Sequence, residues 1–456
     1  MGQVMYKLKR TITLFDAIMI NLGAIIGAGI FVIIGIAIGD AGPSVFLSII
    51  ISAIVALLTG ICFSRIAMTV SKEGGTYEYA KTALSPFAGF IGGWMWMLGN
   101  IIAIAAVSLS LGSYANVLLG TSFPVIIFAI GAIAAFAVVN IYGIKNSAKT
   151  ITFLVIINVL VLTAFVAFGI GAFKIANFGN LFPNGFGGTL LGASLIFFAF
   201  TGFSRVTTIG EEVINPESTI PRAIIISIII STAMYIAIAL VAVGLVPYTV
   251  LSHASSPLSV AIAVLHNNLL GAVIALGGVT ATAGVTFTGI LGVSRVFFAM
   301  GRDRELPSFL GSIDRFSTPT NAIIITAALS ICFMLFVSFG IIVEASNSAI
   351  LAAYGIIDIA ALNLSLKTKP KPEKGFVFSG AFWIVPVLGI ASIGMLLFYL
   401  IGEGLSIAFG LGVAAAIAYA IRQTLYRNRA GYKAKPAIPK RSEVRTFGKT
   451  HRFHSV

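Results

Sequence analysis

Few residues in this chain could do chemistry, and the most suggestive are backbone groups. "GAIIGAGIF", Gly23 to Phe31, places three glycines inside a long apolar run. Glycine is among the poorest helix formers, and a helix broken inside hydrocarbon is tolerated only where the freed backbone is buried in protein or lines a cavity. A second stretch, "FFAFTGFSRV", Phe197 to Val206, puts Thr201-Gly202 at mid-span and follows it with Ser204-Arg205. Freed N–H groups at the start of a half-helix favour an anion, and freed carbonyls at the end of another accept from a cation. The competing reading is that small residues let neighbouring helices approach closely. Shared depth and a fivefold offset in span order favour true breaks at corresponding places in two halves of the chain.

Ionisable side chains inside the apolar runs are scarce. Asp358, in "AAYGIIDIAALNLSLK", lies nine residues before Lys367, on the order of 13 Å along a helix. Buried acids at such depth are functional by default. An ion-pair gate with Arg205 or Arg295 is one reading, and a residue lining a wet vestibule is the other. Asp16, near the entrance of the first run, and Glu211 and Glu212, after the sixth, stand where inner gates could form, although charges at helix ends are commonly just solvated.

The elements that must position these groups follow from composition. The chain has 456 residues, 58% hydrophobic and 10% charged, with a mean hydropathy of +1.04. No soluble core could hide that much apolar surface, so the chain belongs in a lipid bilayer. Twelve runs are long enough to span it, near Leu14–Ile38, Ser44–Val70, Pro86–Leu111, Phe123–Tyr142, Ile151–Phe173, Thr189–Ile209, Ile220–Val246, Leu269–Phe298, Ala322–Val343, Ser346–Leu366, Phe376–Ile401 and Leu405–Ile421. With a cytoplasmic amino terminus, only Lys174 of the 29 Lys and Arg falls on the outer side, which supports the span count and a cytoplasmic location for both termini.

The net charge of +14 comes from 29 basic against 15 acidic residues. It is read as the positive-inside bias plus a basic tail that can lie against anionic lipid, not as a nucleic-acid surface, since no basic folded domain carries it. The run after "MYKLKR" is too long for a signal h-region, so the first span is expected to be retained. Cys62 and Cys332 fall inside spans, and His253, His266, His451 and His454 fall in an outer loop and the tail. Neither a metal site nor a disulfide framework is expected. An enzyme would need convergent nucleophilic or acid–base groups, and a channel a continuous pore lining; neither pattern is evident, and no cofactor is expected.

Four stretches carry a resemblance: "GAIIGAGIF", "KEGGTYEYAKTALSPFAGFIGGW", "FFAFTGFSRVTTIGEEVINPESTIPRAI" and "RVFFAMGRDRELP". They resemble the signature stretches of the amino acid–polyamine–organocation transporters. The resemblance implies an all-α integral membrane protein of LeuT-type fold, with twelve transmembrane helices. Residues 1–13 would be a cytoplasmic amino terminus, 14–173 a first repeat of five spans and 189–366 its inverted copy. Residues 376–421 would form two peripheral spans and 422–456 a basic tail. It also implies a secondary transporter in the plasma membrane, working by alternating access on an amino acid, with the oligomeric state left open.

A zwitterionic α-amino acid matches both ends of a broken helix. Its carboxylate is assigned to the amides of Gly27, Ala28 and Gly29, and its amine to carbonyls near Ile25 and in Phe198, Ala199, Phe200 and Thr201, beside Gly202. Phe198 or Phe200 is expected to lie over the substrate. The third span offers Asn100 and no acid, and the sixth carries Ser204 where several cation-accepting relatives have an acid. A neutral substrate is therefore expected, with a cationic amino acid, polyamine or exchanger of the same fold as the alternative. Asn158 stands by spacing where some proton-driven relatives carry a lysine. Thr280, Thr282, Thr286 and Thr288 populate the eighth span, but the hydroxyl pair of a family sodium site reads Ala283-Gly284. Coupling to H+ or Na+, or exchange, stays open.

Overall fold

The protein is described from a computed structural model covering residues 9–27, 29–70, 72–254, 256–314, 316–336, 339–367, 382–400 and 402–429. Ala28, the start and last residue of the expected eleventh span, and the tail beyond Arg429 lie outside the described residues. The described chain is helical, apart from one β-bridge pairing Ile12 with Val213.

Local sequence explains where the helices begin. Helix α1, Leu14–Ile25, starts at a reciprocal cap: the Asp16 amide donates to Thr13 Oγ1 at 3.3 Å, and the Thr13 amide donates to Asp16 Oδ2 at 3.0 Å. Asp16, expected where an inner gate could form, caps this helix. The backbone bends at Ile26-Gly27, resumes as one π-helical segment, Gly29–Ile33, and continues as α2, Ile34–Ala41. After α3, Val45–Ala67, a turn through Gly74 and Gly75 leads into the short α4, Thr76–Ala83. Helix α5, Pro86–Leu119, is capped by Ser85 with proline at its first position and ends on left-handed Gly120.

Then come α6, Val125–Ile141, α7, Ile144–Gly169, and α8, Gly185–Phe200. A 3₁₀ segment, Thr201–Glu212, continues α8 and leads to α9, Pro216–Leu245. The second interruption is therefore a change to a tighter helix, not the unwound gap expected at Thr201-Gly202. Two short helices, α10, Tyr248–Leu251, and α11, Pro257–Ala263, precede α12, Asn268–Arg302. The remaining helices are α13, Thr320–Phe336, α14, Phe339–Lys367, α15, Ile384–Tyr399, and α16, Glu403–Arg429. Helix α16 thus carries eight residues expected to begin the tail.

Eight helical runs among the described residues are long and apolar enough to cross a membrane, the first extending from Leu14 to Ala67 through the bend. Val125–Ile141, Thr320–Leu335 and Ile384–Tyr399 are shorter apolar helices. Helices α5 and α12 pack against each other at the centre, α14 lies on α5, and α3 lies against α8 and α9. Helix α16 sits outside α5 and α14. Exposed Leu and Phe side chains on α7, α15 and α16, such as Leu160, Phe398 and Phe409, face outward, as lipid-facing surface requires.

The two interruptions lean on each other. A β-carbon at Gly202 would lie 2.5 Å from the Ala24 carbonyl oxygen and 2.6 Å from the Ile25 nitrogen, and one at Gly29 would lie 2.5 Å from the Ala199 Cα. Backbone here meets backbone, which only glycine permits. Gly202→Ala is expected to cost about 1–3 kcal/mol through overpacking, read as a lowered melting temperature of the purified protein in detergent; an unchanged melting temperature would mean that the contact between α1 and the 3₁₀ segment is looser than described.

Candidate functional site

The bend after α1 leaves carbonyls without helical partners, and in hydrocarbon each must find another donor. Three buried phenols supply them. Tyr235 Oη, on α9, donates to the Ile25 carbonyl at 2.6 Å and also lies 3.4 Å from the Ala199 carbonyl. Tyr114 Oη, on α5, donates to the Phe31 carbonyl at 2.6 Å. Tyr354 Oη, on α14, donates to the Thr201 carbonyl and lies 2.7 Å from Ser204 Oγ. On the donor side, the Val206 amide reaches Asn21 Oδ1 at 2.9 Å. Sequence reasoning passed over all four residues. The available signal was that a phenol or amide inside an apolar helix needs a partner.

Between the interruptions lies a cavity of about 20 Å³, whose lining includes Ile25, Gly29, Asn100, Phe198, Thr201 and Arg205. That is room for about one water molecule, so admitting an amino acid requires the walls to part. Ala199 also lines it. Gly27 instead packs on α12, where a β-carbon would stand 3.2 Å from the Ala281 carbonyl oxygen. The Phe198 carbonyl already accepts from Thr201 Oγ1 at 2.8 Å, and Phe198 is among the residues that line the cavity. Phe200 is fully buried with its ring 5.3 Å from that of Tyr235. Of the two expected lid candidates, Phe198 faces the cavity and Phe200 is packing.

Arg205 was expected at a gate, but it lines this cavity, 3% exposed. Its Nη2 donates to Asn100 Oδ1 at 2.7 Å, and the guanidinium carbon stands 5.0 Å from the Trp96 ring centroid. Asn100 is held for this role, its Nδ2 donating to the Trp96 carbonyl at 2.8 Å.

Asp358 is elsewhere. Thr59 Oγ1 donates to its Oδ2 at 3.0 Å, and α15 approaches so closely at Gly389 that a β-carbon there would lie 3.0 Å from the carboxyl carbon. The expected pairing of Asp358 with Arg205 or Arg295 is not formed, because helix packing places Asp358 between α3, α14 and α15. Asn158 Oδ1 accepts from Thr280 Oγ1 at 2.5 Å, and Thr282 Oγ1 donates to its own helix at the Gly278 carbonyl, 2.7 Å away.

The acids after the second interruption do meet cations. Glu212 accepts from Arg295 Nε at 3.1 Å with both side chains buried, and Glu211 accepts from Arg302 Nη1 at 2.7 Å. The Glu212 carbonyl accepts the amides of Thr11 and Ile12 at 2.9 and 3.0 Å, lacing the amino-terminal stretch to this end. Lys81 and Tyr77 both reach Asp303, the phenol at 2.8 Å. Glu73 joins them: its amide donates to Glu211 Oε1 at 3.3 Å, and its carboxyl is fully buried with neither oxygen hydrogen-bonded among the described residues. Burial first and the Glu212 carboxylate second push Glu73 well above the ordinary glutamate value of 4.5, with Arg295 opposing.

Comparison with known proteins shows the family. The amino acid permease family model matches residues 16–425. The chain belongs to that family. A Mycobacterium tuberculosis protein named as an uncharacterised transporter is 33% identical over 92% of this chain and 93% of its own length. The methylthioribose transporter of Bacillus subtilis is 30% identical over 86% and 88%, and the branched-chain amino acid permease of that species 29% over 87% and 89%. This member of the family is thus a multi-pass membrane protein of a transporter family.

Glu73 gives this protein a pH signature. A carboxyl whose pKa is raised on folding binds its proton more tightly in the folded state, so its contribution is present at low pH and lost as pH rises from about 4.5 through the raised value. The slope for one proton is at most about 1.4 kcal/mol per pH unit. Thermal melting across pH is expected to show this loss in the wild type and a flatter profile in Glu73→Gln; identical profiles would remove Glu73 as the source.

Proposed function

We propose that this permease is a secondary transporter of small α-amino acids without a cationic side chain, and that it works by alternating access. The reading rests on one observation above the others: two helix interruptions, in the first and sixth apolar runs, touch each other and flank a cavity. On this reading the chain crosses the plasma membrane twelve times, as two inverted sets of five spans and two peripheral ones. Both termini are cytoplasmic, and the buried Glu212–Arg295 pair and its neighbours form the inner gate.

The carboxylate of the substrate would approach the amino-terminal end of the π-helical segment at Gly29. Its ammonium would use the second lone pair of the Ile25 or Thr201 carbonyl, since each carbonyl oxygen has two and the phenols occupy one. A polyamine or cationic amino acid would need a buried acid beside it, and the cavity lining contains none among the described residues. Proton coupling is supported by two buried carboxyls, Glu73 and Asp358, each with at least one oxygen lacking a protein donor among the described residues. Sodium coupling has less support, because the hydroxyl pair of a family sodium site reads Ala283-Gly284 here.

Purified protein in liposomes, offered a radiolabelled amino-acid panel under imposed pH, sodium or counter-substrate gradients, tests this. Uptake above protein-free vesicles that is driven by an inward proton gradient and competed out by unlabelled amino acid is the expected result. Uptake indifferent to every gradient and unsaturable would point to a passive pore and defeat the proposal.

A further inference from the structure

Arg205 is the only ionisable residue in the cavity lining among the described residues. Other buried or half-buried arginines nearby have carboxylates: Arg295 has Glu212 and Arg302 has Glu211. Arg205 has an amide oxygen, Asn100 Oδ1, and an aromatic face, Trp96. Its Nε and Nη1 are buried and have no acceptor among the described residues. Guanidinium has five N–H donors and cannot shed its charge, so burying it without a counter-charge is costly unless something else supplies one.

The chain nevertheless makes room for this group. A β-carbon at Gly292, on α12, would lie 2.6 Å from both Cδ and Nη1 of Arg205. Trp96 and Asn100 hold one edge of the fork from α5, one turn apart on the same helix face. The guanidinium is thus fixed in orientation, while two of its nitrogens keep donors to offer. Nε and Nη1 share no edge, since Cδ lies beside Nη1, so a carboxylate would meet one of them singly or pair Nε with the second proton of Nη2 as a fork.

We propose that Arg205 sets substrate specificity by binding a carboxylate on the substrate's side chain, which makes the transported class small dicarboxylic amino acids such as aspartate and glutamate. The proposal rests on the amino-acid transport reading and narrows it. A neutral zwitterion entering the cavity would leave the site with a net positive charge, and a cationic side chain would add a second. A dicarboxylic amino acid, with one net negative charge, cancels that of Arg205. Glutamine, nearly the same shape as glutamate, lacks that charge, so the pair isolates the effect.

The test is uptake of radiolabelled glutamate and aspartate into proteoliposomes, with competition by glutamine, asparagine, leucine and lysine, for wild type, Arg205→Gln and Arg205→Lys. In the wild type, the half-inhibitory concentration of glutamate should be at least tenfold below that of glutamine, with lysine the weakest competitor. Arg205→Gln should lose the tenfold preference, and Arg205→Lys should retain part of it. Ligand-free melting of each variant in detergent shows whether it is folded; if Arg205→Gln is not, the wild-type panel and Arg205→Lys decide. Equal or better wild-type transport of glutamine or leucine overturns the assignment of Arg205 while leaving amino-acid transport standing, as does a folded Arg205→Gln that keeps its acidic preference. Absence of uptake for every amino acid overturns both readings together.

Discussion

In hydrocarbon no backbone N–H or C=O can be left to water, and the centre of this molecule is arranged around that constraint. Helix α1 stops at Ile25 and α8 changes pitch at Thr201, so carbonyls lose their helical partners within a few ångströms of each other. Phenols from α5, α9 and α14, together with the Asn21 amide on α1, take up the freed groups. Each phenol comes from a different helix, so the interruptions are held by the surrounding bundle and not by their own local sequence. The glycines serve the same end from the other side. At Gly29 and Gly202 they remove the side chain that would keep the two backbones apart.

That arrangement makes the site both rigid and poised. A carbonyl that accepts one phenol still has a lone pair free, so the groups that stabilise the unliganded cavity need not be displaced to admit a substrate. The walls must still separate, because the cavity holds about 20 Å³. At the charged end, Glu212–Arg295, Glu211–Arg302 and the backbone lacing of Thr11 and Ile12 converge on the segment that continues from α8. The cavity and this charged end are thus joined by one continuous piece of chain, Thr201–Glu212. A change in pairing at one end has a short mechanical route to the other.

Charge is distributed unevenly along that route. The charged end gathers three acids, Glu73, Glu211 and Glu212, around two arginines, and one acid is left with no cation of its own. The cavity has the opposite imbalance, a guanidinium with no acid among the described residues. Asp358 balances neither, since it is enclosed by α3, α14 and α15. Buried ion pairs repay their desolvation only when geometry and hydrogen bonding are good, so a group left over at each end marks where a proton or a charged solute would be bound most strongly.

Much of the fold was legible in the chain because membrane insertion writes itself into composition: long apolar runs, few charges within them, and glycine where a helix is broken. An interruption of the first helix around Gly27 could be read at that level, as could membership of a transporter family through "GAIIGAGIF" and the stretch ending in "IPRAI". Which of Phe198 and Phe200 faces the cavity could not be read, nor that Asp16 caps a helix, that Asp358 lies apart from both arginines, or that Gly27 serves packing against α12. Those depend on the rotation of each helix about its axis and on which distant helix comes to face it. Periodicity within one segment carries the first only weakly when every face is apolar, and it does not carry the second at all. Tertiary packing alone brought Tyr235 to the Ile25 carbonyl across 210 positions of chain, and it alone set Arg205 beside the cavity with no acid among the described residues.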